Sequence, residues 1–404
     1  MNKLREKIER SLEEYSAASF IAGVLCAVLI AAAALLLYFE LTVSRSPSRP
    51  DSLAAMKKIS EAEWLIRHKY LEEMDESVQT DDMIRGLVAG LDDKYAAYYT
   101  KEEYEEIKKE HAGMIKGIGV QLAQDAETGE LLIVYVMEDS PAEKAGVLEK
   151  DRILEINGQD MTGKSSLDAS DLIRAAEGPI TLKLYREGEE DPIELTMEKE
   201  DIKGNVVFGT MLEGDIGYIA ITSFNGLTSE QFAENYDKLQ EEGMQALVID
   251  LRDNLGGLVS ACCDTASQIL PEGPIVFEQD RLGKERHQDC AGETPIDIPL
   301  VLLVNRYTAS ASEIFTGAVR DYGLATIVGT RTYGKGVEQN TYVLSDGSAL
   351  KLTTTVYYTP NHEDLNGVGI VPDEMVVLTE GSETDVQLDK AMEILQEQLE
   401  ERAA

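Results

Sequence analysis

The residues best able to do chemistry lie in two short runs late in the chain. Ser310 sits in Thr308-Ala309-Ser310-Ala311-Ser312-Glu313, and Lys335 stands between two glycines in Tyr333-Gly334-Lys335-Gly336-Val337-Glu338-Gln339. A serine becomes a nucleophile only when a base takes its proton. The chain has four histidines, none in comparable motif surroundings. A lysine can serve instead if burial lowers its pKa from about 10.4 toward neutrality. Flanking glycines permit tight turns and close backbone approach, and serine with lysine is a known variant of the serine hydrolase constellation. The first run also reads as a capping box, serine at the N-cap and glutamate three residues on, ahead of helically spaced Ile314, Phe315, Ala318 and Val319. The two readings are compatible, because a nucleophile at a helix N-terminus gains from the dipole and nearby amides.

The elements that must position these residues belong to a chain of 404 residues, room for two or three domains. A net charge of −38 argues against nucleic acid, whose phosphates need a basic face. It favours solubility and repulsion from anionic membrane surfaces. Residues 17–39 (AASFIAGVLCAVLIAAAALLLYF) carry no charge over 23 positions, enough to span a bilayer core as a helix. A cleavable signal peptide is the alternative, but its apolar region is shorter and ends at a small-residue cleavage site; an uncleaved anchor is expected. Lys3, Arg5, Lys7 and Arg10 precede the run and Arg45 and Arg49 follow it, which favours a cytoplasmic N-terminus. The first sixteen residues hold four basic and four acidic side chains, so the whole −38 falls beyond the anchor. Four cysteines make no disulfide framework: Cys26 lies in the anchor, Cys262 and Cys263 are adjacent, and whether Cys290 pairs with either is open. No CxxC or HExxH pattern occurs, so neither a structural metal nor another cofactor is expected.

Leu41 to Ser52 is polar with two prolines and reads as a linker. Residues 53–110 read as helical: Met56, Ile59, Trp64, Ile66 and Tyr70 form an apolar face, 81–91 a second helix and 102–110 a third. A β-rich module follows. The alternation of Ile118, Val120 and Leu122 predicts a strand, 131–137 another, 140–146 a short helix with proline first and glycine last, and 151–158 a strand into an Asn-Gly turn. Residues 165–176 read as a helix, and 180–185 and 193–197 as strands.

This order resembles a PDZ domain, and SPAEKAGVLEKDRILEINGQDM matches that pattern nearly throughout. The resemblance implies that Gly117-Ile118-Gly119-Val120 offers backbone amides to a peptide's terminal carboxylate while the peptide adds a strand to the sheet edge. Arg174, on the helix expected beside the groove, is a candidate ligand sensor or a solvated surface charge.

From about residue 201 the pattern becomes strand, glycine turn, helix, repeated, which argues an α/β layer architecture. Residues 216–221 read as a strand, 229–241 as an amphipathic helix, and 246–251 and 298–304 as strands covered on both faces. The strand 246–251 leads into Arg252-Asp253-Asn254-Leu255-Gly256-Gly257-Leu258, and 298–304 into Asn305 and the serine run.

Several blocks in order, GLDDKYAAYYTKEEYEE, DLRDNLGGL, TASASE, YGKGVEQ, and LKLTTTVYYTP followed by GVGIVPD, make the chain similar to the carboxyl-terminal processing (tail-specific) peptidases over about residues 55–378. That resemblance implies Ser310 as nucleophile, Lys335 as general base, Gln339 as the residue orienting the lysine amine, and the backbone amides of Gly256 and Ala311 as oxyanion hole. Together with the anchor and linker read from the residues, it gives a multidomain α/β chain: a cytoplasmic tail (1–16), a transmembrane helix (17–39), a linker (40–52), a helical N-terminal region (53–110), a PDZ domain (111–200), an α/β serine-peptidase core of the ClpP/crotonase type (201–380) and a C-terminal helix (381–404). The partners implied are protein or peptide substrates held by the C-terminus, a bacterial membrane at the anchor and, as an open alternative to a monomer, a homodimer; the catalytic part would face outward. A catalytically silent PDZ scaffold is the competing reading. Three departures stand out: Tyr307 where small residues are common, Glu338 where an apolar residue is usual, and 361–366 in place of a shorter, glycine-containing stretch. His362 within it reads as a loop residue.

Overall fold

A computed structural model describes residues 2–43, 52–72, 76–125, 128–378 and 384–404. It divides into two units, residues 1–80 and 81–404.

The first unit is helical. The helix Asn2–Val43 takes in the uncharged run, and Ser52–Lys69 follows. Among the described residues no helix is long and apolar enough to cross a membrane. Several side chains of the run, 17–18, 20 and 35–39, lie outside the described set, and the expected anchor is not shown by this helix alone. Most of the expected linker also lies outside that set. Met56, Ile59, Trp64, Ile66 and Tyr70 are exposed rather than packed. The reason is that none of the three buried apolar clusters draws on residues 1–80. The helix Glu76–Ala89 straddles the boundary.

In the second unit a six-stranded sheet runs in the spatial order Val207–Leu212, Ile216–Ile221, Ala246–Asp250, Leu300–Val304, Thr326–Gly329, Glu374–Met375. The first pair is antiparallel and the others parallel. Alternate residues of each strand point to opposite faces, which splits the core in two. Leu247, Ile249, Leu302 and Val304 pack under the helices Thr228–Glu241, Val259–Ala266 and Ala311–Asp321. Ala246, Val248, Val301 and Leu303 pack with Ala391 and Leu395 of the C-terminal helix Val386–Ala403. Burial on both faces accounts for the unbroken apolar runs. A second sheet orders Ala97–Tyr99, Ala349–Tyr358, Gly273–Asp280 and Glu285–Cys290, with Val337–Val343 also on the long strand. Cys262, Cys263 and Cys290 are buried free thiols, which closes the question of their pairing.

The β-rich module has its own core around Ile133, Ile156, Ile180, Leu182 and Leu184. Asn157 and Gly158 both take positive φ, 51° and 78°, as a two-residue hairpin turn requires. One expectation fails here. Ile118 to Leu122 is not one strand; Met114–Gly117 pairs with Glu200–Lys203, and a separate strand, Val120–Gln124, starts the larger sheet. Gly119 breaks the run at φ 81°, where a Cβ would stand 2.2 Å from that of Ser140.

Candidate active site

Ser310 lies at the start of the helix Ala311–Asp321 with φ 59° and ψ −120°. An ordinary N-cap takes extended angles; a non-glycine residue held here is strained, and such strain collects at functional sites. The cap is also only partly the expected box. Glu313 accepts from Ser310 N–H at 2.9 Å, but the Glu313 N–H returns to the Ser310 carbonyl at 2.8 Å.

Glu313 does more than cap. Its side chain is fully buried. Oε2 also accepts from Lys335 N–H at 2.8 Å, and Oε1 accepts from Gly334 N–H at 2.7 Å and Thr332 Oγ1 at 2.6 Å. One carboxylate thus ties the serine turn to the lysine loop. The glycine after the lysine is required by space: a Cβ at Gly336 would meet the backbone nitrogen of Asn366 at 2.5 Å.

The turn before the serine is held by Asn254, fully buried. Its Nδ2 donates to Ile221 O at 2.8 Å, and its carbonyl accepts from Ala309 N–H and Ser312 Oγ at 3.0 and 3.1 Å. Its Oδ1 accepts the Gly256 N–H at 2.9 Å, so that amide is committed inward. A Cβ at Gly256 would meet Ala309 O at 2.7 Å and Ala311 N at 2.9 Å. Beneath, Asp250 and Arg252 pair at 2.6 Å and Tyr218 donates to Asp250 at 2.8 Å, fixing the strand end that feeds the turn.

Ser310, Lys335 and Gln339 line one cleft of about 300 Å³, with Leu255, Leu258 and Tyr357. Burial, and then the like charge of Lys351, hold the Lys335 amine below its ordinary pKa, against Tyr333 and Glu313. The Tyr357 hydroxyl donates to the Lys335 carbonyl and lies in hydrogen-bonding reach of Ser310. Lys335 Nζ stands 4.7 Å from the Tyr95 ring centroid. The Gln339 amide donates to Thr353 Oγ1 at 3.1 Å. Among the described residues no hydrogen bond joins the Lys335 amine to Ser310 or Gln339. The structure therefore brings Ser310, Lys335 and Gln339 to one cleft without hydrogen bonds from the amine to the other two. His111, at the end of the helix Lys101–His111, also lines the cleft and had no sequence signal. Glu338 lines it too; burial and then Glu278 raise its pKa, and its Oε2 has no hydrogen-bond partner, with Arg286 at 3.6 Å.

A second cleft, about 370 Å³, is lined by Gly117 to Val120, Ile173, Arg174 and Lys199. Val120–Gln124 is the edge strand of its sheet, open to a further strand. Arg174 is largely exposed and pairs with Asp171 of its own helix at 2.8 Å.

A strained serine at a helix start, a half-buried lysine lining the same cleft and a separate module with an open sheet edge fit a serine hydrolase. Residues 215–376 match peptidase family S41, 132–186 a PDZ domain, and 39–103 the N-terminal domain of the activating protease CtpB. The chain is 34% identical to a carboxyl-terminal-processing protease of Synechocystis over 82% of this chain and 81% of that one. It is 31% identical to the carboxy-terminal processing protease CtpA of Bacillus subtilis, over 81% and 70%. A solved structure assigned to the S41 proteases, from Bacteroides fragilis, covers 81% of this chain and 92% of its own at 18% identity and TM-score 0.51, a likeness of fold. The chain belongs to the carboxyl-terminal-processing proteases of family S41 and is a serine-type peptidase with a PDZ domain.

Proposed function

We propose that the chain is a membrane-anchored serine endopeptidase that holds a protein C-terminus in its PDZ groove and cleaves the adjacent chain with Ser310 and Lys335. The observation that carries this is the strained backbone of Ser310, opening on the same cleft as the lowered-pKa lysine. Neutral Lys335 takes the Ser310 proton as Oγ attacks the scissile carbonyl. The amides of Gly256 and Ala311 receive the oxyanion, and losing one such donor typically costs about 10²–10³ in rate. The lysine ammonium then protonates the leaving amine, and water releases the acyl group by the same steps. Gln339 orients the amine. The commitment of Gly256 N–H to Asn254 and of Gln339 to Thr353 supports a resting arrangement. A bound carboxylate at Gly117 to Val120 shifts it toward the competent one by binding that state more tightly.

The uncharged run and the basic residues before it support an anchor with the catalytic part outside the cytoplasm. Membrane fractionation should find the chain in the pellet, with external protease digesting residues beyond the anchor in intact cells. A soluble protein starting near residue 40 would contradict the anchor. Turnover of peptides with free and amidated C-termini by the full chain tests the rest: free carboxylates should be cut faster. A chain that binds such peptides without cutting any, and takes up no serine-directed probe, would instead be a scaffold.

A further inference from the structure

Tyr95 reaches the site from far upstream. It lies just before the strand Ala97–Tyr99, which pairs with Ala349 to Lys351 on the strand that carries Tyr357. Its ring faces two ammonium groups, Lys335 Nζ at 4.7 Å and Lys94 Nζ at 4.8 Å from the centroid. Lys94 is also bound to the Tyr333 hydroxyl at 2.9 Å. An aromatic face attracts an ammonium through its quadrupole and has no such attraction for a neutral amine. The contact therefore favours the one protonation state of Lys335 that cannot take a proton. The other charged or titratable groups around Lys335 are Lys351, Tyr333, Glu313 and Lys94, with His111, Glu338 and Tyr357 along the same cleft.

We propose that Tyr95 is a positioning residue whose ring parks the Lys335 ammonium away from Ser310, so that the amine must leave the ring and give up its proton before it can act. This rests on the reading of Ser310 and Lys335 as nucleophile and base. Release and deprotonation are then linked. A stronger aromatic face holds the lysine to higher pH, and an aliphatic side chain of similar size releases it earlier.

The test is the pH dependence of peptide turnover by the full chain in detergent micelles, for the wild type, Tyr95→Trp, Tyr95→Phe and Tyr95→Leu. The midpoint of the rising limb should be highest with tryptophan. It should fall by about half a unit to one unit with leucine and return to the wild-type position with phenylalanine, which keeps the ring face. Below the midpoint that shift raises kcat for the leucine variant by about three- to tenfold with KM unchanged. A merely structural tyrosine would lower the rate at all pH values and leave the midpoint in place; that result, or equal midpoints for tryptophan and leucine, overturns the proposal. If the leucine variant loses the wild-type thermal transition, equal midpoints for tryptophan and phenylalanine overturn it. Lys335→Arg separates the two readings. Turnover by that variant would sink the base assignment itself, whereas an inactive arginine variant with unmoved Tyr95 midpoints would sink parking alone.

Discussion

The Glu313 carboxylate lies 2.8 Å from the backbone N–H of Lys335, and the same oxygen accepts the N–H of Ser310. The serine turn and the lysine loop thus share one buried anchor. Glu313→Gln puts an amide NH₂ among four donors. At least one buried donor is left unpaired, at about 1–3 kcal/mol. Displacing reacting groups by an ångström costs about 10²-fold in rate. We expect a lower thermal midpoint and a fall in kcat of that order; wild-type kcat would show that the anchor does not set the geometry.

Ser310→Ala and Ser310→Gly should both be inactive, yet differ in stability. The φ of 59° strains any residue with a Cβ, by about 1–3 kcal/mol, while glycine adds about 0.5–1 kcal/mol of backbone entropy. The glycine variant should therefore unfold at higher denaturant, by about 1 kcal/mol. Equal unfolding curves would mean that the serine is not held under strain.

Lys351 is the second cause, after burial, of the lowered Lys335 pKa. As the proposed base Lys335 acts when neutral, so the rate should rise with pH through that pKa. Lys351→Met removes a like charge, raises the Lys335 pKa and moves the rising limb to higher pH. A limb that stays or moves down contradicts this. The sign is opposite to that expected for Tyr95→Leu, so the two variants check each other.

In the PDZ groove, Gly119→Ala drives a Cβ to 2.2 Å from the Ser140 Cβ at φ 81°. The loop must shift, at about 1–3 kcal/mol, and binding of C-terminal peptides should fall at least about tenfold. An uncleaved C-terminal peptide should raise turnover of a second, untethered substrate in the wild type and not in this variant. A peptide that only competes would reduce the module to a tether.

The sheet strands were legible because both their faces are buried: 246–249 and 298–304 read as apolar runs, and the strands Ala246–Asp250 and Leu300–Val304 lie on them. The Asn-Gly turn and the proline-to-glycine helix were legible from residue-specific backbone limits. The strand Ala97–Tyr99 was missed, since three residues carry no period and its partner lies at 349–351. Glu313 read as a cap because sequence shows the local bond to Ser310 and not the bonds to 332–335, which exist only once two loops meet. Asn254 and Tyr95 escaped for the same reason. The apolar face of 56–70 was read from spacing alone, and spacing does not say whether another layer covers it.

In the proposed mechanism Lys335 is the base that activates Ser310. The most direct test is mass-spectrometric mapping of the residue labelled by a serine-directed fluorophosphonate at mildly alkaline pH, in the full-length wild type and in Lys335→Arg. Arginine keeps the charge but does not deprotonate usefully. We expect label on Ser310 in the wild type and none in Lys335→Arg; equal labelling of Ser310 in both, or label on another serine, would contradict the assignment.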